Sequence, residues 1–131
     1  MELKKKELTY KGKTIEELKK LEVREFAKFL PSRERRFVLR NFQKIENFIT
    51  HAQKKLAENK KIKTHLRDLV IVPQMVGMQI QVYNGHVFSQ VEITIDTLGH
   101  KLGEFSMTRS KVKHSKAGIG ATKGSKSKSK K

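Results

Sequence analysis

The five histidines are the first residues in this chain that could ligate a metal ion or transfer a proton. They are His51, His65, His86, His100 and His114, and each lies at least 14 residues from the next. A helical metal-binding pair would need two histidines four residues apart, and the chain has neither that spacing nor any cysteine. We therefore expect no metal site and no cofactor, and we expect the histidines to serve the structure or to contact phosphate.

A glycine-rich segment from Gly118 to Ser125 superficially resembles a nucleotide-binding loop. A dinucleotide fingerprint would need glycine at position 123, where the chain has Lys123, and a phosphate-binding loop needs Gly-Lys-Ser/Thr in place of Lys-Gly-Ser. Neither a strand before the segment nor a helix after it is predicted. Carboxylates are sparse as well, so a paired general acid and base is not expected. The sequence thus predicts that the chain is not an enzyme.

Lysine and arginine dominate the chemistry of this chain. The 131 residues include 30 Lys plus Arg against 13 Asp plus Glu, a formal net charge of +17. Such an excess opposes compaction, so we expect a polyanionic partner: nucleic acid, anionic lipid or an acidic protein. The excess is uneven: the net charge is +10 over residues 1–65, −2 over residues 66–104 and +9 over residues 105–131. A nearly neutral middle between basic flanks indicates a folded module with basic extensions.

This distribution divides the chain into three parts. Residues 1–65 are predicted to form a helical basic arm, residues 66–108 an α+β RNA-binding core, and residues 109–131 a basic tail. The tail ends in Gly-Ser-Lys-Ser-Lys-Ser-Lys-Lys, which lacks any large apolar side chain, so we expect it to be disordered. A core of some 43 residues is small for independent folding, so either the arm completes it or the chain depends on a larger assembly.

Three helices are predicted in the arm. Thr14 and Glu17 form a candidate capping box at the start of the first, and a second spans residues 23–30. The third spans residues 33–58, with Ser32 as its candidate N-cap. Its apolar stripe is about 80° wide and faces away from Arg36, Arg40 and Lys54. The stripe comprises Val38, Phe42, Ile45, Ile49, Ala52 and Leu56.

Beyond a basic linker at residues 59–67, the pattern predicts a small three-stranded sheet. The first strand occupies residues 66–72 and ends at Pro73. Two further strands alternate in polarity on either side of Asn84-Gly85, a sequence typical of a type I′ hairpin turn. A two-residue loop would pair Val82 with Val87 and Ile80 with Ser89. A short C-terminal helix is predicted over residues 97–102, with Asp96 as its N-cap.

No segment of the sequence has the features of a signal peptide or a membrane span. The first six residues are mostly charged, and no run of about 20 apolar residues occurs. We therefore expect a cytoplasmic protein.

The absence of several nucleic-acid-binding motifs indicates how this chain would contact RNA. Zinc-finger spacing, an RNA-recognition signature with interleaved aromatics and a Gly-x-x-Gly loop are all absent. Base stacking is therefore not the evident mode, and contact between Lys or Arg and the RNA backbone is the better physical account. A free nucleic-acid binder of the chromatin or RNA-chaperone type and a membrane-surface protein remain alternatives.

A spaced signature in the middle of the chain resembles the S19 family of small-subunit ribosomal proteins. It contains Asn84-Gly85-His86, Ile93, Leu98-Gly99, Leu102-Gly103-Glu104-Phe105 and Thr108. The segment from Arg67 to Met78 is similar to the family's first strand and its exit. Three segments of the chain resemble the archaeal and eukaryotic branch of the family. They are Leu30-Pro31-Ser32-Arg33, Val112-Lys113-His114 and Gly118 to Thr122. The Lys-Ser ending departs from the eukaryotic pattern, which favours an archaeal-type member.

The resemblance implies a structural role in the head of the small ribosomal subunit, in translation. Its implied partners are small-subunit ribosomal RNA, a head protein of the S13 family and, through the C-terminal extension, A-site and P-site tRNA near the decoding region. Family motif and arm charge together indicate a set of RNA-binding residues. They are Arg33, Arg35, Arg36, Arg40, Lys101, Arg109, Lys111, Lys113, His114, Lys116 and Lys123.

Overall fold

The computed structural model describes residues 7–113, 118, 123 and 124, which form a mixed α+β fold as predicted. The strands are β1 (Thr9–Tyr10), β2 (Lys13–Thr14), β3 (Ile62–Thr64), β4 (Gln79–Tyr83) and β5 (Phe88–Glu92). The helices are α1 (Ile15–Lys19), α2 (Val23–Phe26) and α3 (Ser32–Ala57). Single 3-10 turns occur at Ala27–Phe29, Pro73–Met75, Ile95–Thr97 and Leu102–Phe105.

The predicted capping box at the start of α1 is confirmed. The Thr14 hydroxyl accepts from the Glu17 amide at 3.5 Å, and the Glu17 carboxylate accepts from the Thr14 amide at 3.3 Å. Before it lies a short hairpin of β1 and β2 that the sequence analysis did not predict. Its turn places Lys11 and Gly12 at φ of 51° and 78°, and two positive angles in succession are the geometry of a type I′ turn.

Helix α3 has almost the predicted bounds, but Ser32 is not its cap. Pro31 is the N-cap, because its carbonyl already accepts the helical hydrogen bond from the Arg35 amide at 2.9 Å. Ser32 therefore becomes the first helical residue. Within the apolar stripe Val38, Ile45, Ile49 and Ala52 are buried, as predicted, and Leu56 at the end is half exposed at 49%.

A three-stranded sheet is present among the described residues, but its first strand is not the predicted one. Strand β3 lies within the expected basic linker and pairs in parallel with β4, with Ile62 opposite Ile80. The apolar run at residues 69–72 is fully buried and pairs instead with the segment around His100, where Ile71 donates to the His100 carbonyl at 2.8 Å. Burial on all sides made this run look like a strand of the sheet.

The hairpin of β4 and β5 exists, but its register is shifted by two residues from the prediction. Tyr83 pairs with Phe88 and Ile80 with Val91, so the loop has four residues rather than two. The Asn84 side chain accepts from the amides of His86 and Val87 at 3.0 and 2.8 Å, and this closes the longer loop. Because the shift is even, the apolar side chains keep the predicted face.

The predicted C-terminal helix at residues 97–102 is replaced by two 3-10 turns, at Ile95–Thr97 and Leu102–Phe105. Thr94 precedes the first turn, so Asp96 is not an N-cap. Gly99, between the turns, donates its amide to the Ile71 carbonyl at 3.1 Å, and Leu102, the first residue of the second turn, donates to the Leu69 carbonyl at 3.0 Å. These tertiary bonds take the place of a helical turn.

One hydrophobic cluster joins the predicted arm to the predicted core. Phe26, Leu30 and Val38 belong to the same buried cluster as Ile71 and Ile80. The arm therefore supplies part of the core, which was one of the two alternatives for so small a middle. Within the described residues no helix is long and apolar enough to cross a membrane.

The tightest junction between arm and middle lies at Gly99. A Cβ atom there would come within 2.9 Å of the Tyr10 hydroxyl and 3.1 Å of a Leu30 methyl group, and φ is +80°. Burial raises the pKa of the Tyr10 hydroxyl above its ordinary value, and the Glu34 carboxylate raises it further. Tyr10 is thus a neutral packing residue beneath the glycine.

The substitution Gly99→Ala is expected to lower the free energy of unfolding by about 2–4 kcal/mol, since backbone strain and steric overlap add. Gly77→Ala is a matched control, because Gly77 has φ of +91° but no atom within 4 Å of the added Cβ. The control should lose only about 1 kcal/mol through backbone strain. Urea unfolding of both variants measures the difference, and equal losses would exclude a packing role for Gly99.

Candidate nucleic-acid interface

Three exposed arginines lie on one side of α3 at its N-terminal end. Arg33, Arg36 and Arg40 fall within about 60° of one another around the helix axis, given 100° per residue. Together with Ser32, Arg35 and Leu39 they border a shallow surface groove. Like charges on one helix face repel one another, so this arrangement is favourable only when an anion neutralises it.

Arg35, predicted to bind RNA with its neighbours, makes intramolecular contacts instead. Its guanidinium donates to the carbonyls of Ala27, Lys28 and Leu30 at 3.2, 3.1 and 3.1 Å. These carbonyls belong to the turn that precedes α3, so Arg35 fastens that turn to the helix. An RNA contact by Arg35 stays a prediction, and its observed role is structural.

Lys101 is brought to the arginine face by the tertiary fold. Its backbone pairs with Val70, and its Nζ lies 5.6 Å from the centroid of the Phe37 ring. Phe37 lies four residues after Arg33 and three before Arg40, on the same side of α3. Lys101, which lies between two parts of the sequence signature, is thus brought to the arginine side of α3, although more than 60 residues separate it from Arg40 in sequence. We call Arg33, Arg36, Arg40 and Lys101 the basic face.

Next to Lys101 lies an exposed, oriented histidine that the sequence analysis did not select. His100 Nδ1 is 2.7 Å from a Glu104 carboxylate oxygen, and the imidazole packs edge-on against Phe105 with ring centroids 5.8 Å apart. A carboxylate on one ring nitrogen orients the imidazole and leaves the other nitrogen, Nε2, available for a contact with phosphate. The His-x-x-x-Glu spacing was the available signal, but the predicted helix ended at residue 102, before Glu104.

The predicted RNA-binding residues beyond the core are exposed where the structure describes them. Arg109, Lys111, Lys113 and Lys123 are all exposed, whereas His114 and Lys116 lie outside the described residues. The chain leaves the core at Ser106, which is fully buried and donates its hydroxyl to the Val82 carbonyl at 3.1 Å. Ser106 is therefore the last buried residue in the part of the chain that the structure describes.

Arg67 organises the exit of that tail. Its guanidinium donates to the carbonyls of Tyr83, Gly103 and Ser106 at 2.7, 2.8 and 2.7 Å. These bonds join the hairpin, the last 3-10 turn and the start of the tail. In sequence Arg67 resembles any other cation of a basic segment, and only the three converging carbonyls identify it as a structural residue.

The cations of the interface are complementary to an anionic ligand. Across residues 7–113, 118, 123 and 124 no three His, Asp or Glu side chains come together as metal ligands would. Asp68 is paired with Lys44 at 3.1 Å and Glu58 with Lys60 at 2.7 Å, so both carboxylates already have a cationic partner within the chain. The arrangement can neutralise phosphates and holds a fixed imidazole beside them.

Comparison with known proteins gives one consistent result. The family model for ribosomal protein S19 matches residues 32–114, from the first residue of α3 to just past Lys113. The chain is 48% identical over 122 residues to small ribosomal subunit protein uS19 of Methanocella arvoryzae, covering 93% of this chain and 86% of the relative. The corresponding protein of Halorubrum lacusprofundi is 43% identical over 125 residues, covering 92% and 89%. That of Thermoplasma volcanium is 46% identical over 126 residues, covering 92% and 79%.

Proposed function

The chain belongs to the ribosomal protein S19 family, and on this premise we propose that it binds small-subunit ribosomal RNA through its basic face. The family consists of structural proteins of the small ribosomal subunit, so the chain has a structural role in translation and is located in the cytoplasmic ribosome. The resemblance to the archaeal branch agrees with the archaeal sources of these relatives.

The observation that carries the RNA-binding proposal is the position of Lys101 beside the arginines of α3. Lys101 reaches the Phe37 ring on the side of α3 that carries Arg33 and Arg40, and the region matched by the family model contains all four cations of the basic face. Each phosphate that they neutralise releases counterions, which is the main source of affinity for RNA and makes that affinity fall steeply with salt. Shape and backbone contacts of this kind suit double-stranded ribosomal RNA, whose base edges are poorly accessible.

The tail is a second part of the same proposal. Arg109, Lys111 and Lys113 follow the buried anchor Ser106 and are exposed, so they can reach RNA beyond the core. We also propose, from the family resemblance, that His114, Lys116 and Lys123 extend this contact. The division into arm, core and tail belongs to the proposal as well, as do the S13-family head protein and A-site and P-site tRNA as partners.

The direct test compares the affinity of the full chain for small-subunit ribosomal RNA and for random duplex RNA at physiological salt. We expect clearly tighter binding to the ribosomal RNA, because shape selection adds to charge neutralisation. A variant lacking residues 109–131 should bind more weakly while its far-UV circular dichroism stays unchanged. Equal affinity for the two RNAs would favour a free nucleic-acid binder, and an unfolded truncation would show that the tail belongs to the core.

A further inference from the structure

The open face of the three-stranded sheet carries a cluster of three aromatic rings. His65 lies 4.6 Å from Tyr83 and 5.2 Å from Phe88 between ring centroids, and Tyr83 lies 5.1 Å from Phe88. The Lys63 ammonium stands 5.3 Å from the centroid of Phe88. We call His65, Tyr83 and Phe88 the aromatic trio. The opposite face of the sheet is buried and includes Ile62, Thr64, Ile80, Val82 and Val91.

The trio is accessible to solvent in the described structure. Lys63 and His65 are exposed, while Tyr83 and Phe88 are half-buried. Tyr83 and Phe88 are a directly opposed cross-strand pair, so hairpin stability accounts for those two rings. It does not account for His65, which follows the end of β3 and places its ring against Tyr83 and Phe88. Lys63, two residues earlier, places its charge beside Phe88.

The trio is also held in one arrangement before any ligand binds. The Tyr83 hydroxyl donates to the Gly85 carbonyl at 3.1 Å, and the Tyr83 carbonyl accepts from Arg67 at 2.7 Å. A ring fixed at both its hydroxyl and its backbone loses little conformational entropy when a flat ligand stacks on it.

The surroundings of the trio are cationic. A groove between the C-terminal half of α3 and β3 runs up to His65, and its lining includes Phe48, His51, Lys55 and Lys63. Lys60 and Lys61, both exposed, immediately precede β3, and Lys60 is paired with the Glu58 carboxylate. Three rings beside a row of cations are complementary to an unpaired nucleotide, because its base has a π face and its backbone carries phosphate.

We propose that the aromatic trio and Lys63 bind an unstacked nucleobase of a single-stranded or loop segment of RNA, with the adjoining groove following its phosphates. This inference rests on the proposed function, since it names a second RNA-binding surface. It adds base stacking to a chain whose sequence indicated backbone contacts alone. The basic face and the trio lie on different elements, so their contributions can be separated.

The test uses the full chain and two single-stranded RNA probes of twelve nucleotides, one of mixed sequence and one with abasic sites at the same length and charge. We expect the wild-type chain to bind the base-containing probe about 10-fold or more tightly than the abasic one. The double variant Tyr83→Leu and Phe88→Leu keeps apolar bulk but removes two π faces, and it should lose most of that preference. Gln90→Ala, an exposed position on the same strand as Phe88, is the control and should keep that preference.

Circular dichroism of each variant tests whether the fold persists. If the double variant fails to fold, His65→Ala, which alters only the ring beyond β3, replaces it in the comparison of the two probes. No discrimination between the probes by the wild-type chain would overturn the stacking proposal. Retained discrimination in a folded variant, or loss of binding to an S13-family protein in place of RNA, would also overturn it. The variant lacking the arginines of the basic face should bind both probes more weakly by the same factor. Failure of RNA binding through the basic face can therefore be distinguished from failure of base stacking on the trio.

Discussion

The substitution Arg67→Ala is expected to lower the free energy of unfolding by about 3–5 kcal/mol, because it removes three charge-assisted hydrogen bonds worth about 1.5–3 kcal/mol each, part of which solvent replaces. The carbonyls of Tyr83, Gly103 and Ser106 would all lose their donor. The side chain is half-buried, so water reaches the vacated space only in part. We expect the hairpin, the last 3-10 turn and the tail exit to loosen together.

Urea unfolding measures this effect, with a lower midpoint at an unchanged slope expected for a loss of native-state interactions. Arg67→Lys should recover little, since an ammonium cannot present the planar fork that reaches three carbonyls at once. Arg36→Ala removes an exposed arginine and should change stability by less than about 0.5 kcal/mol. A loss for Arg67→Ala as small as that of Arg36→Ala would contradict a structural role for Arg67.

The second large effect concerns RNA affinity. The triple variant Arg33→Ala, Arg36→Ala and Arg40→Ala is expected to bind small-subunit ribosomal RNA on the order of 100-fold more weakly near physiological salt, through the loss of counterion release from about three phosphates. The slope of log affinity against log salt should fall by about three. Arg35 stays intact in this variant because its bonds to Ala27, Lys28 and Leu30 hold the fold.

A matched control removes the same charge elsewhere. Lys19, Lys20 and Lys28 are exposed and lie outside the basic face, so their replacement by alanine changes the net charge by the same three units. We expect a smaller change in the salt slope, since these lysines act only through the long-range field. Equal losses in the two triple variants would show that net charge, rather than the basic face, governs binding.

Several elements were predictable from the sequence because short-range interactions specify them. The capping box needs only Thr14 and Glu17, three residues apart, and the helical stripe of α3 needs only its own periodicity. The hairpin was predicted for the same reason, although its register was not. Asn84 satisfies the amides of both His86 and Val87, and a four-residue loop was favoured over the two-residue turn.

The strand at Ile62–Thr64 was missed because its partner lies far along the chain. Three residues within a basic segment carry too little alternation to signal a strand, and parallel pairing with β4 is what defines it. The buried run at residues 69–72 was wrongly predicted to be a strand of the sheet. A short apolar run indicates burial but does not indicate which segment it pairs with.

The sequence by itself determined the charge pattern, the amphipathic α3, the hairpin and the signature of the family, since each depends on residue types at fixed short spacing. Only the tertiary structure decided which cations contact other parts of the chain. It placed Lys101 against Phe37 of α3, engaged Arg35 and Arg67 with backbone carbonyls, and placed His65 beside Tyr83 and Phe88. The physical reason is that a long side chain contacts whichever elements pack around it. Which elements those are depends on the packing of the whole core.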